Sequence, residues 1–393
     1  MSVAESEGHK RLRIAVLNRH FSPTGGGAER YSIALVEQLA QRHEIHVFAQ
    51  HIHHQWPGVT YHRIAAGLSK PRWINQLWFA TATWWATRRG FDVVHSHENT
   101  WHGQVQTVHV LPVKYNLFQG RKGWHLAMRW VKVLTSPRLL AYLGLERARF
   151  APQPHRCIVV TSGSLMRQMA STYPGTASTL ALVTPGVGTT AMRTTPAQQL
   201  AARQQLGLPE AGRSILFVSN DYRKKGLETL LKALPQLPDD LWLAVVGNAA
   251  HIPDFQAQAK ALGVERRVCF LGALHDVGTA YEAADCLAHP TLEDTFAMVV
   301  LEAMAHGLPV VVSSECYCGI SGLLTHGVNA LMVDQPRDVA TLSAALLRVF
   351  QEPLLYKTLS DAALAFASAY QWPSIALQQE SIYFSCTVDR DQG

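Results

Sequence analysis

One pattern constrains this chain more than any other: short β-branched runs alternate with longer amphipathic stretches, and the alternation occurs twice. The first series predicts strands at 12–17, 45–49, 92–95, 105–110, 158–161 and 180–184. Helix-like stretches lie between them; in the first, 28–41, Tyr31, Leu35 and Leu39 fall four apart on one face. Turn chemistry thickens at Thr184-Pro185-Gly186-Val187-Gly188, and a polar stretch runs to Gly212 before the pattern restarts. The second series predicts strands at 215–218, 242–246, 268–271, 286–289, 309–312 and 331–333. Strands alternating with helices feed parallel sheets, so the expected fold is α/β, with two doubly wound domains facing each other across a cleft. Ligands of such sheets bind at the carboxyl ends of strands, which places the expected site between the domains.

Composition narrows the function classes. With 393 residues, 48% of them hydrophobic and 16% charged, the chain can fill two cores. Every apolar run, 299–312 included, is interrupted before the roughly 18 residues a membrane span requires. Residues 1–10 are polar and mixed in charge, which does not read as a secretory leader, so a cytoplasmic protein is expected. The six cysteines (Cys157, Cys269, Cys286, Cys316, Cys318, Cys386) form no C-x-x-C pair and read as reduced thiols.

The net charge of +6 is too mild for a dedicated nucleic-acid binder, but it is concentrated. Between 110 and 150 stand eight cations (Lys114, Arg121, Lys122, Arg129, Lys132, Arg138, Arg147, Arg149) against Glu146 alone. Tyr115, Phe118, Trp124, Trp130, Tyr142 and Phe150 are interleaved with them. Such a surface suits an anionic membrane leaflet, each cation contributing about 1 kcal/mol near the headgroups. Peripheral, salt-sensitive contact with the inner face of the cytoplasmic membrane is therefore expected, with a solvated basic face as the alternative. Trp78, Trp84 and Trp85 are expected to pack in the core or between helices. His51, His53 and His54 have no acid or cysteine at ligand spacing; they read as a solvated loop, and no metal is assigned.

Three loops after strands carry groups suited to a phosphorylated ligand. In Pro23-Thr24-Gly25-Gly26-Gly27-Ala28-Glu29-Arg30, free N–H groups and the helix dipole favour an anion, and glycine lets a diphosphate approach the main chain. The spacing is not G-x-G-x-x-G, and the second strand ends at Gln50 where a ribose-binding acid would stand, which counts against a dinucleotide oxidoreductase. A flexible turn is the plain alternative. Ser219-Asn220-Asp221-Tyr222-Arg223-Lys224-Lys225-Gly226 sets three consecutive cations after a strand, suited to a phosphate or simply to solvent. Within 290–310 a strand leads to Asp294, a helix opens near Ala297, Glu302 lies in its second turn and Gly307 closes it. Among Val, Leu, Ala and Met, the Glu302 carboxylate needs hydrogen-bond donors: two ribose hydroxyls would serve, as would a buried arginine or a backbone amide.

In this order the residues resemble a family 4 glycosyltransferase of the GT-B fold. The likeness runs over nearly the whole chain, through Gly25-Gly26-Gly27-Ala28-Glu29-Arg30, Asp92-Val93-Val94-His95, Thr107-Val108-His109, Val160-Thr161-Ser162, Pro185-Gly186-Val187, Lys225-Gly226, Phe270-Leu271-Gly272, Ala284-Asp285 and the pair Asp294 and Glu302. His97-Glu98-Asn99, Leu145-Glu146-Arg147 and residues 219–226 resemble those members that add glucose to the lipopolysaccharide inner core. The resemblance implies retaining, metal-independent transfer of a hexose, glucose from UDP-glucose, to a hydroxyl of a glycan or lipid-linked acceptor. It implies that Lys225 holds the diphosphate with Gly26 and Gly27 beneath it, and that Glu302 binds the ribose. Asp294 would face the donor sugar, His109 would contact its upper edge, Leu274 would lie beside the base, and the backbone of Phe296, Ala297 and Met298 would support phosphate and sugar hydroxyls. The attacking hydroxyl would lose its proton to the donor's own phosphate.

The chain departs from the family pattern in two places. Asp294-Thr295-Phe296-Ala297 replaces Glu-Gly-Phe-Gly, and Ser219 stands where many members carry arginine, leaving Arg223 or Lys224 to supply a second cation. The implied domains are 1–186, binding the acceptor, and 187–370, binding the nucleotide sugar, with a helix in 371–393 packing back on the first. The competing readings are a sugar-nucleotide epimerase or hydrolase on the same scaffold, which would need an acid/base pair the sequence does not display, and a non-catalytic membrane-associated module.

Overall fold

The computed structural model describes residues 10–387 except 24, 68, 69 and 189. Most of the segment read as lacking a leader, Thr24 of the first glycine loop and residues 388–393 of the last predicted segment therefore lie outside the described residues. The described chain divides into two compact units. The first is built from the chain up to Thr161, Leu165–Val183 and the stretch from Trp372 onward, the second from Ser162–Ser164 and Thr184–Gln371.

In the first unit, β1 (Arg13–Leu17), β2 (Glu44–Ala49), β3 (Val59–Arg63), β4 (Val93–Ser96), β5 (Val105–Val108), β6 (Cys157–Val160) and β7 (Leu180–Leu182) form a parallel sheet. Among the described residues its order is β3-β2-β1-β4-β5-β6-β7. β1 lies between β2 and β4, with Val16 opposite Val47 on one side and His95 on the other, so the winding direction reverses there. The central strands are buried on both faces, which is why they read as unbroken apolar runs. β3 is missing from the expected strands because, at the sheet edge, its sequence Val-Thr-Tyr-His-Arg stays polar and half-exposed. His20–Phe21 also pairs with His51–Ile52, so His51 belongs to a short strand and not to the expected loop.

The helices follow their apolar phase. α1 (Gly27–Leu39) buries Tyr31, Leu35 and Leu39. α2 (Arg72–Thr87) buries Gln76, Phe79, Ala80, Thr83 and Thr87, a stripe at helical spacing. The tryptophans fall outside that stripe: Trp78, Trp84 and Trp85 are 47%, 42% and 66% exposed, which corrects the expectation of core packing. α3 (Val113–Phe118), α4 (Gly123–Leu134) and α5 (Pro137–Arg149) follow β5.

The second unit repeats the architecture. β8 (Arg213–Ser219), β9 (Leu241–Gly247), β10 (Val268–Gly272), β11 (Cys286–His289), β12 (Val310–Ser313) and β13 (Leu331–Val333) are parallel in the order β10-β9-β8-β11-β12-β13. Alternate β8 residues serve two cores: Leu216 and Val218 join the one that includes Val300 and Leu301, while Ile215 and Phe217 join the one that includes Leu227 and Leu230. Helices thus cover both faces, among them α6 (Leu227–Ala233) after β8 and α7 (Met298–Ala305) after β11.

The last helix, α8 (Trp372–Thr387), belongs to the first unit. Trp372 meets the Tyr31 ring edge-on at 5.4 Å, His43 Nε2 lies 2.7 Å from Glu380 Oε1, and Tyr383 Oη is 2.7 Å from His95 Nδ1. The six cysteines are free.

Candidate active site

In the second unit a glycine brings two loops together. Gly226 has φ +83°, and a Cβ there would lie 2.0 Å from the Pro290 carbonyl oxygen, so only glycine lets the cationic loop lie against the loop that follows β11. The Leu292 amide donates to the Lys224 carbonyl at 2.9 Å. Lys225 is thereby delivered to the acid: its Nζ lies 2.7 Å from Asp294 Oδ2 and donates to the Glu293 carbonyl at 2.7 Å. His289, at the end of β11, places Nε2 at 3.2 Å from the same Oδ2.

The other oxygen of Asp294 organises the turn. Oδ1 accepts from the amides of Ala297 (2.8 Å) and Phe296 (3.2 Å), the local capping at which a short acidic side chain excels. The backbone is held as well: the Asp294 amide donates to Tyr317, and the Gly319 amide donates to Asp294. Ala297 then adopts φ +73° before α7 begins, the left-handed conformation that glycine favours. Burial alone would raise the Asp294 carboxyl, but the His289 contact and the Lys225 charge outweigh it and hold the group well below the usual carboxylate range. It is an anion wherever the unit is folded under ordinary conditions.

Met298 is the first residue of α7, where an N–H has no partner within the helix. One turn on, Glu302 Oε2 accepts from Tyr281 Oη at 2.8 Å, and the Tyr281 ring stacks on His306. Asp294, Phe296, Ala297, Met298 and Glu302 therefore follow one another from β11 into α7, and Lys225, on the loop after β8, joins them through Asp294. Leu274 is partly buried against the core on that side of the sheet. The two neighbouring cations are engaged elsewhere: Arg223 pairs with Asp254 (3.0 Å) and Lys224 with Glu293 (2.6 Å).

Gly26, Gly27 and His109 belong to the first unit, at the carboxyl ends of β1 and β5. Gly26 caps α1 in an extended conformation, and Glu29 leans over the loop, its Oε2 3.2 Å from where a Gly26 Cβ would stand. His109 Nε2 lies 2.9 Å from His97 Nδ1 with the rings stacked, and the Tyr31 edge packs on His109 at 5.1 Å. Burial, reinforced by the Arg149 charge, pushes His109 down to about 3, so the imidazole is neutral.

No role for His289, Tyr281 or His97 is assigned from the sequence, although His97-Glu98-Asn99 enters the family resemblance. His289 lies inside a strand the sequence does reveal, and only the turn after it shows that its ring meets Asp294. Nothing local in the sequence links Tyr281 to Glu302.

The basic segment separates into parts. Arg149 is buried and donates to Gln106 Oε1 (3.0 Å) and the Thr107 carbonyl (2.6 Å), and Lys114 donates to the Thr172 carbonyl (2.8 Å). Glu146 is a cap: it accepts the Val113 and Lys114 amides at the start of α3. By contrast α4 presents Trp124, Met128, Val131 and Leu134 as an exposed stripe, beside exposed Arg121, Lys122, Lys132 and Arg138. No helix among the described residues is long and apolar enough to cross a membrane, and none of them form a group of three or more His, Cys, Asp or Glu placed to hold a metal ion.

Residues 25–190 match the model of Glycosyltransferase Family 4, and residues 198–365 match that of Glycosyl transferases group 1. Curated relatives include the D-inositol 3-phosphate glycosyltransferases of Corynebacterium aurimucosum, 27% identical over 95% of this chain and 96% of the relative, and of Mycolicibacterium vanbaalenii, 29% identical over 92% and 87%. Among solved structures, WaaG, a glycosyltransferase involved in lipopolysaccharide biosynthesis, superposes with a TM-score of 0.81 at 20% identity, covering 94% of this chain and 99% of its own. Anabaena Alr3699/HepE in complex with UDP and glucose gives a TM-score of 0.75 at 20% identity, covering 94% and 99%. The likeness confirms the GT-B architecture of two Rossmann-like domains.

Proposed function

We propose, from the premise that the chain belongs to the family 4 glycosyltransferases of the GT-B fold, that it transfers glucose from UDP-glucose to a hydroxyl of an anionic, lipid-linked glycan such as lipopolysaccharide core. Transfer proceeds with retention at the anomeric carbon and without a metal ion. The observation that carries this reading is the path from Lys225 through the Asp294 turn to Glu302, which sets a cation, a helix N-terminus and a second carboxylate at the carboxyl ends of the sheet.

Lys225 and the first amides of α7 neutralise the departing diphosphate, a preorganised electrostatic stabilisation of charge that develops as the bond between the anomeric carbon and the diphosphate oxygen breaks and the glycosidic bond to the acceptor forms. Glu302, already oriented by Tyr281, accepts the ribose hydroxyls. Asp294 holds Lys225 and the turn in place and borders the donor sugar. Gly26 and Gly27 lie beneath the diphosphate, neutral His109 contacts the sugar, and Leu274 flanks the base. The donor assignment is supported by the Anabaena protein solved with UDP-glucose. The exposed basic and apolar face of α4 supports peripheral docking on an anionic leaflet, where a lipid-linked acceptor would be met. The curated relatives favour a second reading of the acceptor alone, a free inositol phosphate used at the same donor site.

The test is product analysis by NMR after incubation with UDP-glucose and either unglucosylated lipopolysaccharide core or inositol 3-phosphate. An α-linked glucoside of the core is expected. A β-linked product would overturn retention, a product with inositol phosphate alone would select the second acceptor, and unconsumed UDP-glucose with both would overturn the donor.

A further inference from the structure

The first unit contains a cavity of about 410 Å³ that plays no part in the site just described. It lies at the amino ends of β4, β5 and β6, whereas Gly26 and His109 follow the carboxyl ends of strands of that sheet. Its wall comes from the end of α2 (Trp84, Arg88), the loop into β5 (Trp101, His102) and the loop into β6 (Gln153, Arg156). Among the described residues no Asp or Glu lines it.

Arg156 is 6% exposed and, among the described residues, pairs with no Asp or Glu: its hydrogen bonds all go to backbone carbonyls. Its terminal nitrogens donate to the carbonyls of Ala148 (2.9 Å), Arg149 (3.0 Å) and Trp101 (3.0 Å), and its Nε finds no acceptor among the described residues. A buried cation without a counter-charge is expensive, and a bound anion removes that penalty. Arg88 is exposed, lies over the Trp85 ring at 5.2 Å and makes no ion pair among the described residues. Neither ring nitrogen of His102 has a hydrogen-bond partner among the described residues. Burial, then the Arg156 charge, holds that ring down to about 4, so it offers one donor and one acceptor, the complement of a pair of sugar hydroxyls. The volume is that of a small-molecule pocket, typically about 300–1,000 Å³.

We propose that this cavity is a second carbohydrate site that binds a phosphorylated sugar, its phosphate between Arg88 and Arg156 and its hydroxyls at His102 and Gln153. The phosphorylated sugar is either a free metabolite or part of a phosphorylated glycan; the chemistry of recognition is the same.

The test is calorimetric titration of the full chain with glucose 6-phosphate, glucose, inorganic phosphate and a phosphorylated core oligosaccharide. Glucose 6-phosphate is expected to bind more tightly than either fragment, and the oligosaccharide to compete with it if the glycan is the source. Arg88→Glu, a substitution at an exposed position, is expected to weaken that binding about tenfold or more. Lys225→Ala is expected to leave it unchanged, since that residue does not line the cavity. Arg156→Lys should act like Arg88→Glu; if it fails to fold, the Arg88 variant still decides. No binding by the wild-type chain, or binding lost in Lys225→Ala and kept in Arg88→Glu, would overturn the proposal. Inorganic phosphate binding as tightly as the sugar phosphate would overturn its carbohydrate part.

Discussion

Lys225 Nζ and Asp294 Oδ2 lie 2.7 Å apart, and the other oxygen of that carboxylate accepts the amides of Phe296 and Ala297. One acid therefore fixes both Lys225 and the turn that opens α7. Asp294→Asn preserves an acceptor for the turn but removes the counter-charge of Lys225. It is expected to lower transfer about a hundredfold and to destabilise the second unit by about 2 kcal/mol, read by initial rates and urea denaturation. Unchanged rates would show that the pair has no part in transfer.

The same carboxyl sets an acid limit on stability. Its folded value is depressed, so its stabilisation is complete above the ordinary carboxylate value near 4 and is lost as the pH falls from there toward the folded value. Urea midpoints of the wild type should drop below about pH 4, and Asp294→Asn should flatten part of that limb.

The buried histidines of the first unit titrate in a higher window. His95 and His109 are both held at about 3 by burial, below the value of an unfolded histidine near 6.5. The unfolded chain therefore binds more protons below pH 6.5, and stability falls as the pH drops, each ring adding about 1.4 kcal/mol per pH unit until its folded value is reached. A urea midpoint that stays flat between pH 6.5 and about 4.5 would contradict the neutral, buried assignment.

Ala297 occupies a left-handed conformation at φ +73° with a side chain present. Ala297→Gly relieves the backbone strain but loosens the unfolded chain, for a net gain of about 0.5 kcal/mol. Ala297→Val is expected to destabilise by about 2 kcal/mol and to reduce transfer, because a β-branched side chain fits this conformation poorly and the turn would shift away from Asp294.

Vesicle sedimentation checks the role of α4. The wild type should bind anionic vesicles at low salt and release at high salt, and Trp124→Ala combined with Lys132→Glu should abolish binding while leaving turnover of a soluble acceptor intact. Binding that ignores salt would remove the electrostatic part of the account.

Much of the architecture is legible in the sequence because both sheets are buried on two faces. Strands β11 and β13 fall where 286–289 and 331–333 are expected. The edge strand β3 is not legible, since exposure erases its apolar signal. The α2 tryptophans mislead for the opposite reason: their size suggests burial, whereas the phase of Phe79, Ala80 and Thr83 decides which face is inward. At the site, Lys225, Asp294 and Glu302 stand out as charges beside turns or within an apolar helix. Their partners do not, because Tyr281 and His289 reach them through the tertiary fold. Ala284-Asp285 proves architectural: Asp285 pairs with Arg203 at 2.8 Å and accepts from the Ser214 amide at the start of β8.

If the path from Lys225 to Glu302 holds the nucleotide, both side chains must contribute to its affinity. Calorimetric titration of UDP into the wild type, Lys225→Ala and Glu302→Gln measures that contribution. Each substitution is expected to weaken UDP binding about tenfold or more while the urea midpoint stays within the range of a folded second unit. Equal UDP affinity in all three proteins would contradict it.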